Sequence, residues 1–277
     1  MTNQIPITVI NLKKETNRKN RITRILSKLN LEFSFLEGIH GLELSGNKLK
    51  EVYNPINSIE KNMRLLTKNE IGATLSHFKV YRQMLDDNID EMIVLEDDIV
   101  IDKKFIEALN VIEHLPTNWE LFLLGYAHGT IESKLCNINI HLKSISTEFN
   151  VGIPVKTVMG AFAYVISKKG AKRMLSYRDS IFQAIDLYTG NRHLINVYTI
   201  SPRVVDVDLD LGSDIHYARI QSRLNNKSRW KKKIRHNKLY KTAQNLNEKR
   251  KRSGINFIDC VIRKMVYRIR HLFIKHY

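Results

Sequence analysis

The chain has 277 residues, of which 43% are hydrophobic and 26% charged. That composition excludes disorder over most of its length and suits one sizeable buried core with room for a small appendage. Its formal net charge of +17 is unevenly spread: 19 of the 45 Lys and Arg, but only two of the 28 acids (Glu248 and Asp259), lie between 219 and 277, leaving 26 of each sign in the first 218 residues. A neutral body, 1–218, with a basic tail, 219–277, argues against a basic active site and for a docking device.

Along the chain, Ile7 to Leu12 reads as a buried strand, followed by a polar turn containing Asn17, Arg18 and Arg21 and by a helix with Ile22, Ile25, Leu26 and Leu29 on one face. Phe33 and Phe35 alternate with Glu32 and Ser34, the pattern of a second strand. Asn47 to Asn62 is polar and reads as a loop. Thr67 and Glu70 then have capping-box spacing, Leu66 and Ile71 that of a hydrophobic staple, and Ile71, Leu75, Phe78 and Leu85 continue an apolar helical stripe. Met92 to Leu95 is a short apolar run ending abruptly in Glu96-Asp97-Asp98; Trp119 to Leu124 and Ala161 to Ile166 read as further strands, the latter followed by a helix starting near Ser167. Strands alternating with helices predict an α/β fold with a mostly parallel sheet, and such sheets bind ligands beyond the carboxyl ends of their strands.

Glu96, Asp97 and Asp98 stand at one such end. Three consecutive carboxylates repel one another unless a cation compensates them. In extended chain Glu96 and Asp98 share a face, which suits a hard divalent ion, Mg²⁺ or Mn²⁺; a solvated acidic turn satisfies the same pattern. Asp206, Asp208 and Asp210 alternate with Val207 and Leu209, the pattern of a strand with one acidic face and of a second metal motif. His77 reads either as a hydrogen-bonded structural histidine or as a ligand-site residue, and Tyr164 reads as core.

Several blocks occur together: the strand ending Ile10-Asn11-Leu12, Leu66-Thr67-x-x-Glu70-Ile71-Gly72 running on to Leu75-Ser76-His77, Leu95-Glu96-Asp97-Asp98, Gly160-x-x-x-Tyr164-x-x-Ser167-x-x-Gly170-Ala171, and the later Asp186. In this order and with these gaps they resemble glycosyltransferase family 25, over roughly Ile7 to His216. His40-Gly41 stands where that family usually has Asp-Gly, Ala73 where Cys is frequent, and Ala184-Ile185 where Pro-Val precedes the Asp. The resemblance implies a single-domain, Rossmann-like A-type glycosyltransferase fold. It implies an inverting, metal-dependent transfer of a hexose, by default galactose from UDP-galactose, onto a lipooligosaccharide or lipopolysaccharide core acceptor. It further implies a donor site formed by Asn11, Arg18, Ser76, His77, Glu96 and Asp97. The metal, Mn²⁺ or Mg²⁺, would be held by Asp98 with Glu96 and a late histidine, His216, and Asp186 would serve as the base. A catalytically silent scaffold of the same fold, and a metal-dependent phosphotransferase or nuclease, are the competing readings.

The tail runs through Arg229-Trp230-Lys231-Lys232-Lys233. After Gly254 it places Ile258, Val261, Ile262, Met265, Val266, Ile269, Leu272 and Phe273 at helical spacing, flanked by Arg263, Lys264, Arg270 and Lys275. Such a basic amphipathic helix suits an anionic membrane surface or packs on the body by its apolar face; no nucleic-acid motif accompanies it. Cys136 and Cys260 form no disulfide or metal pattern, Met1 to Leu12 lacks the features of a signal peptide, and no run of about 18 uncharged apolar residues is present. The expected location is the cytoplasmic face of the inner membrane, as a peripheral protein.

Overall fold

A computed structural model describes residues 5–62, 64–127, 135–136, 138 and 148–211. His216 and the tail, 219–277, lie outside the described residues, so the expectations attached to them are not addressed by the fold.

In chain order the elements are β1 (Ile7–Asn11), α1 (Thr16–Lys28), β2 (Ser34–Glu37), α2 (Gly46–Val52), α3 (Pro55–Asn62), α4 (Lys68–Asp86), β3 (Glu91–Glu96) and β4 (Ile99–Ile101). Then follow α5 (Phe105–Leu109), β5 (Leu121–Leu123), β6 (Asn150–Gly152), β7 (Ala163–Ser167), α6 (Lys168–Leu175), α7 (Ile185–Thr189), β8 (Val197–Ser201) and β9 (Val205–Val207). Seven strands form one sheet in the order β2-β1-β3-β7-β5-β8-β6, and β4 pairs with β9 in a small second sheet. β2, β1, β3, β5 and β8 run in one direction; β7 and β6 are reversed. The expected mostly parallel α/β sheet is therefore present, with the reversed β7 wedged between β3 and β5. Among the described residues no helix is long and apolar enough to cross a membrane.

Because the side-chain period of a strand is two, each strand feeds two cores. Ile10, Leu36, Val94 and Tyr164 point to the face covered by α4, α6 and α7, where Ile71, Phe78, Met174 and Tyr188 are buried. Val9, Leu95, Ala163 and Val165 point to the other face, covered by Ile22 and Leu26 of α1 and by Phe105 and Ala108 of α5. Both faces of the sheet are covered, so β1 and β3 are near-continuous apolar runs.

The segment from Asn47 to Asn62 corrects the sequence reading: it is not a loop but most of α2 and α3. The signals are at the caps. The Ser45 side chain accepts from Lys48 N, Asn54 Oδ1 accepts from Asn57 N at 2.9 Å, and Pro55 occupies the first position of α3, where its missing N–H costs nothing. Helices α2 and α3 bury few side chains, which is why no broad apolar stripe marks them.

α4 begins as the spacing predicts. Thr67 Oγ1 accepts from Glu70 N at 3.2 Å, and Glu70 Oε2 accepts from Thr67 N at 2.8 Å. Glu70 is 1% exposed, so its charge needs a partner; Arg64 supplies one through Nη1 at 2.9 Å and Nη2 at 2.7 Å. Gly72 packs backbone on backbone: a Cβ there would lie 2.7 Å from Gly41 Cα and from Ile39 O. Thr67→Ala removes one cap and is expected to cost about 1 kcal/mol. Glu70→Ala also strips the acceptor from Thr67 N and Arg64 and is expected to cost roughly 2 kcal/mol or more. Urea unfolding of the two variants checks this ordering; a Glu70→Ala loss no larger than that of Thr67→Ala would contradict it.

Candidate active site

The carboxyl ends of β1 and β3 are brought level by their parallel pairing, which sets Ile10 opposite Glu96. The next residues, Asn11 and Asp97, therefore meet. Asn11 Nδ2 donates to Asp97 Oδ2 at 2.6 Å and to Glu15 O at 3.1 Å. Arg18, in the first turn of α1, reaches the same place: Nη1 lies 3.3 Å from Asp97 Oδ1 and 3.4 Å from Asp98 Oδ2, and Nη2 donates to Leu211 O at 3.2 Å. Burial pushes the Asp97 carboxyl up, and the Asn11 hydrogen bond and the Arg18 guanidinium pull it back.

The extended geometry expected to put Glu96 and Asp98 on one face does not occur. β3 ends at Glu96, and Asp97 and Asp98 form a turn into β4. β4 is held by β9, and Asp98 O accepts from Asp208 N at 2.7 Å. The two carboxyls are nevertheless neighbours: burial first, and then the Glu96 charge, push Asp98 up to about 7, against Arg18. Asp98 Oδ1 is buried and has no hydrogen-bond partner.

Glu96, 33% exposed at its side chain, ends a hydrogen-bonded run through the core. His77 Nε2 lies 3.2 Å from Glu96 Oε1, His77 Nδ1 lies 2.8 Å from Tyr164 Oη, and Tyr81 Oη lies 2.6 Å from Tyr164 Oη. His77 and Tyr81 are one turn apart on α4, and Tyr164 on β7 is opposite Val94 of β3. Burial lowers His77 to about 4, opposed by Asp186, so the ring is neutral at pH 7. A neutral ring donates from one nitrogen and accepts at the other. With Glu96 ionised, Nε2–H donates to it and the Tyr164 hydroxyl donates to Nδ1. With Glu96 protonated, its O–H donates to Nε2, and Nδ1–H donates to the Tyr164 oxygen. Burial, then Asp186 and Asp97, raise Glu96 to about 8, with Arg18 opposing.

Asp186 stands in the first turn of α7, whose N-cap is Ala184; it is not itself the cap. It is half-buried, and its charge acts on both Glu96 and His77, which places it at the same end of the sheet. Asn11, Arg18, His77, Glu96, Asp97, Asp98 and Asp186 thus converge. Ser76 does not present its hydroxyl to them: Oγ donates to Gly72 O at 2.8 Å and accepts from Ile39 N at 2.7 Å. His77, 1% exposed, reaches the site only through Glu96, and Tyr164 is core, as its position predicts, while also orienting His77.

Asp206, Asp208 and Asp210 do not form one acidic face. β9 ends at Val207 and a 3₁₀ turn follows over Leu209–Leu211. Asp206 pairs with Arg203 at 2.7 Å and Asp208 with Arg21 at 2.5 Å, so the second metal motif is spent on ion pairs. Among the described residues no three His, Cys, Asp or Glu side chains gather closely enough to hold a metal ion by themselves. Sequence reasoning gave no role to Arg21 or Tyr81; the partner of Arg21 is 187 positions away, and no local spacing reports it.

Comparison with known proteins identifies the family. The family model for glycosyltransferase family 25 (LPS biosynthesis protein) matches residues 4–189. The chain belongs to glycosyltransferase family 25. The matched span holds every converging residue just named. Procollagen galactosyltransferase 2 of Homo sapiens is 27% identical over 181 residues, covering 61% of this chain and 27% of that protein. A glycosyltransferase 25 family member of Drosophila melanogaster is 30% identical over 177 residues, with the same coverage. The chain thus spans about a quarter of the length of these relatives. A solved glycosyltransferase involved in the glycosylation of the major capsid of PBCV-1 aligns with TM-score 0.32 and 11% identity over 61% of this chain and 62% of that one.

The Glu96 carboxyl makes a signed prediction about stability. Its folded value lies above the ordinary 4.5, so the stability it contributes is present below about 4.5 and is lost as pH rises toward about 8. In chelator, Glu96→Gln should gain on the native protein progressively across that window in thermal melts, because the amide keeps the His77 contact and has no proton to lose. A constant difference between the two proteins across pH 4.5–8 would contradict the assignment.

Proposed function

We propose that this chain is an inverting, metal-dependent glycosyltransferase that moves a hexose, by default galactose from UDP-galactose, onto a lipooligosaccharide or lipopolysaccharide core. Family membership supports a nucleotide-sugar donor and a glycan acceptor, and the relatives' names support galactose. The observation that carries the metal reading is the buried, unpartnered Oδ1 of Asp98 beside the Glu96 carboxyl. A desolvated carboxylate oxygen without a donor is costly, and a hard cation that takes oxygen ligands and leaves positions for phosphate oxygens removes that cost. Asp98 and Glu96 would hold Mn²⁺ or Mg²⁺, with His216 as a further ligand, and the metal would supply Lewis-acid stabilisation of the leaving diphosphate.

The chain's own residues supply the rest. Asn11 and Arg18 form the cationic and amide-lined end of β1 that suits a nucleotide; Arg18 already bridges Asp97 and Asp98, so it can shift from carboxylate to phosphate without crossing the site. Asp97 fixes both of them and is the positioning residue of the donor pocket. Asp186 is the group for the acceptor hydroxyl proton. It is half-buried, it stands on an element separate from the acidic cluster, and its charge acts on Glu96. The His77–Tyr164–Tyr81 run holds the Glu96 carboxyl in one orientation. The basic tail is the proposed membrane contact, on the cytoplasmic face, where a lipid-linked acceptor is presented. The phosphotransferase or nuclease reading loses its additional carboxylates to Arg203 and Arg21.

Two substitutions test the division of labour. Asp98→Asn should abolish metal-dependent donor binding in calorimetry while the fold persists. Asp186→Asn should leave donor affinity within about a factor of three and lower kcat by about 10²–10⁴. Full activity of folded Asp98→Asn at ordinary Mn²⁺ would overturn the metal site; loss of donor binding with turnover preserved in Asp186→Asn would overturn the base.

A further inference from the structure

On the outer side of α4, away from His77, lies a cavity of about 290 Å³. It is lined by the apolar Val52, Leu75 and Phe78 and by four cations: Lys48 of α2, Lys79 and Arg82 of α4, and Arg178 beyond α6. Positions 75, 78, 79 and 82 recur at helical spacing on one stripe, and His77 is turned roughly 200° from Leu75 at 100° per residue, so this site and the acidic cluster use opposite sides of the same helix. Its walls are tied together. Ile181 N donates to Val52 O at 2.8 Å, and Asn54 N donates to Ile181 O at 2.7 Å, joining the end of α2 to the segment after Arg178.

We infer that this cavity is an anion site that takes a phosphate group carried on a small polar ligand such as a phosphorylated saccharide. Four cations and, among the described residues, no acid line it. The acids nearest along the chain are already engaged from outside: Glu51 with Lys48 at 2.9 Å and Asp179 with Arg178 at 3.1 Å, both acids well exposed. Lys79 donates to a neutral carbonyl, Glu37 O, at 3.0 Å. Among the described residues, two ion-paired cations and two with no carboxylate partner therefore ring one concavity, which leaves a net positive field over it. Like charges held together repel unless a counter-anion sits among them, and a concave low-dielectric wall focuses that field. A phosphate accepts from Lys and Arg together, with Arg82 and Arg178 able to use two N–H groups each. Val52, Leu75 and Phe78 give the cavity an apolar floor between the cations, on which one face of a sugar ring can rest while its phosphate meets the rim. The volume is at the lower end for small-molecule sites and accommodates a phosphorylated monosaccharide.

This site is independent of the donor reading, and its test is independent as well. The full chain and a Lys79→Glu/Arg82→Glu variant are titrated with inorganic phosphate, a hexose 6-phosphate and the uncharged hexose, and mixed with vesicles of phosphatidylglycerol or of phosphatidylcholine alone. Lys79 and Arg82 are exposed, so the variant should fold, which circular dichroism verifies. The basic tail is common to both proteins, so only their difference reports the cavity. Hexose 6-phosphate should bind the native chain at least tenfold more tightly than the variant, and the uncharged hexose should bind neither. A difference confined to phosphatidylglycerol vesicles would assign the same phosphate chemistry to a lipid headgroup. Equal binding of every probe by the two proteins, or binding of the uncharged hexose as tight as that of its phosphate, would overturn the proposal.

Discussion

Three carboxylates in succession at the end of a buried strand must each be compensated, and the body of this protein is arranged around how that is done. Asp97 is neutralised outright, by Asn11 at 2.6 Å and by Arg18. Glu96 is drawn to the α4 face, where a neutral His77 meets it and where burial and Asp186 favour its protonated form. Asp98 shares Arg18 on one oxygen and has none on the other. One strand end thus carries a structural acid, a proton-holding acid and an acid with one unpartnered buried oxygen. Magnitudes separate these roles: an unpaired buried polar group costs about 1–3 kcal/mol, which is tolerable at one oxygen where a ligand is to bind and not at six.

Compensation on this scale needs long-range tertiary contacts, from Asn11 of β1, from Arg18 of α1 and, for Glu96, from His77 of helix α4. That helix is buried on more than one side, through Ile71, Thr74, His77, Phe78, Tyr81 and Met84. The residues that make the sequence resemble its family serve there mainly to hold the site rather than to enter it. Glu70 and Thr67 start the helix, Gly72 allows the 39–41 backbone to approach, Ser76 clamps Ile39, and His77 fixes Glu96. The same helix presents a cationic stripe outward. A rigid element with one side committed to the acidic cluster and the other to a basic cavity sets the two about one helix diameter apart, on the order of 10 Å.

What was legible in the sequence was what local chemistry encodes. The Thr67–Glu70 box and the Ser167 cap of α6, whose side chain accepts from Gly170 N, could be read from spacing. So could the apolar runs of β1, β3 and β7 and the placement of Glu96 at a strand end. The helices over Asn47 to Asn62 were missed because they bury few side chains, although Ser45 and Asn54-Pro55 mark their starts. The reversal of β7 was invisible because a buried strand has the same composition in either direction. The shared face of Glu96 and Asp98 was wrong because periodicity assumes that the strand continues, and here it turns. Asp208 and Arg21, like Tyr81 and Tyr164, find each other only once the sheet has formed.

The account stands on one claim, that Asp98 and Glu96 form a cation-dependent donor site with Asn11 and Arg18. The most direct measurement is a screen of nucleotide sugars against the full chain with Mn²⁺, Mg²⁺ or chelator, following slow hydrolytic release of the nucleotide. The account predicts release from a single UDP-hexose, strongest with Mn²⁺ and lost in chelator. Release that is equally fast in chelator, or no release and no binding of any nucleotide sugar with metal present, would contradict it.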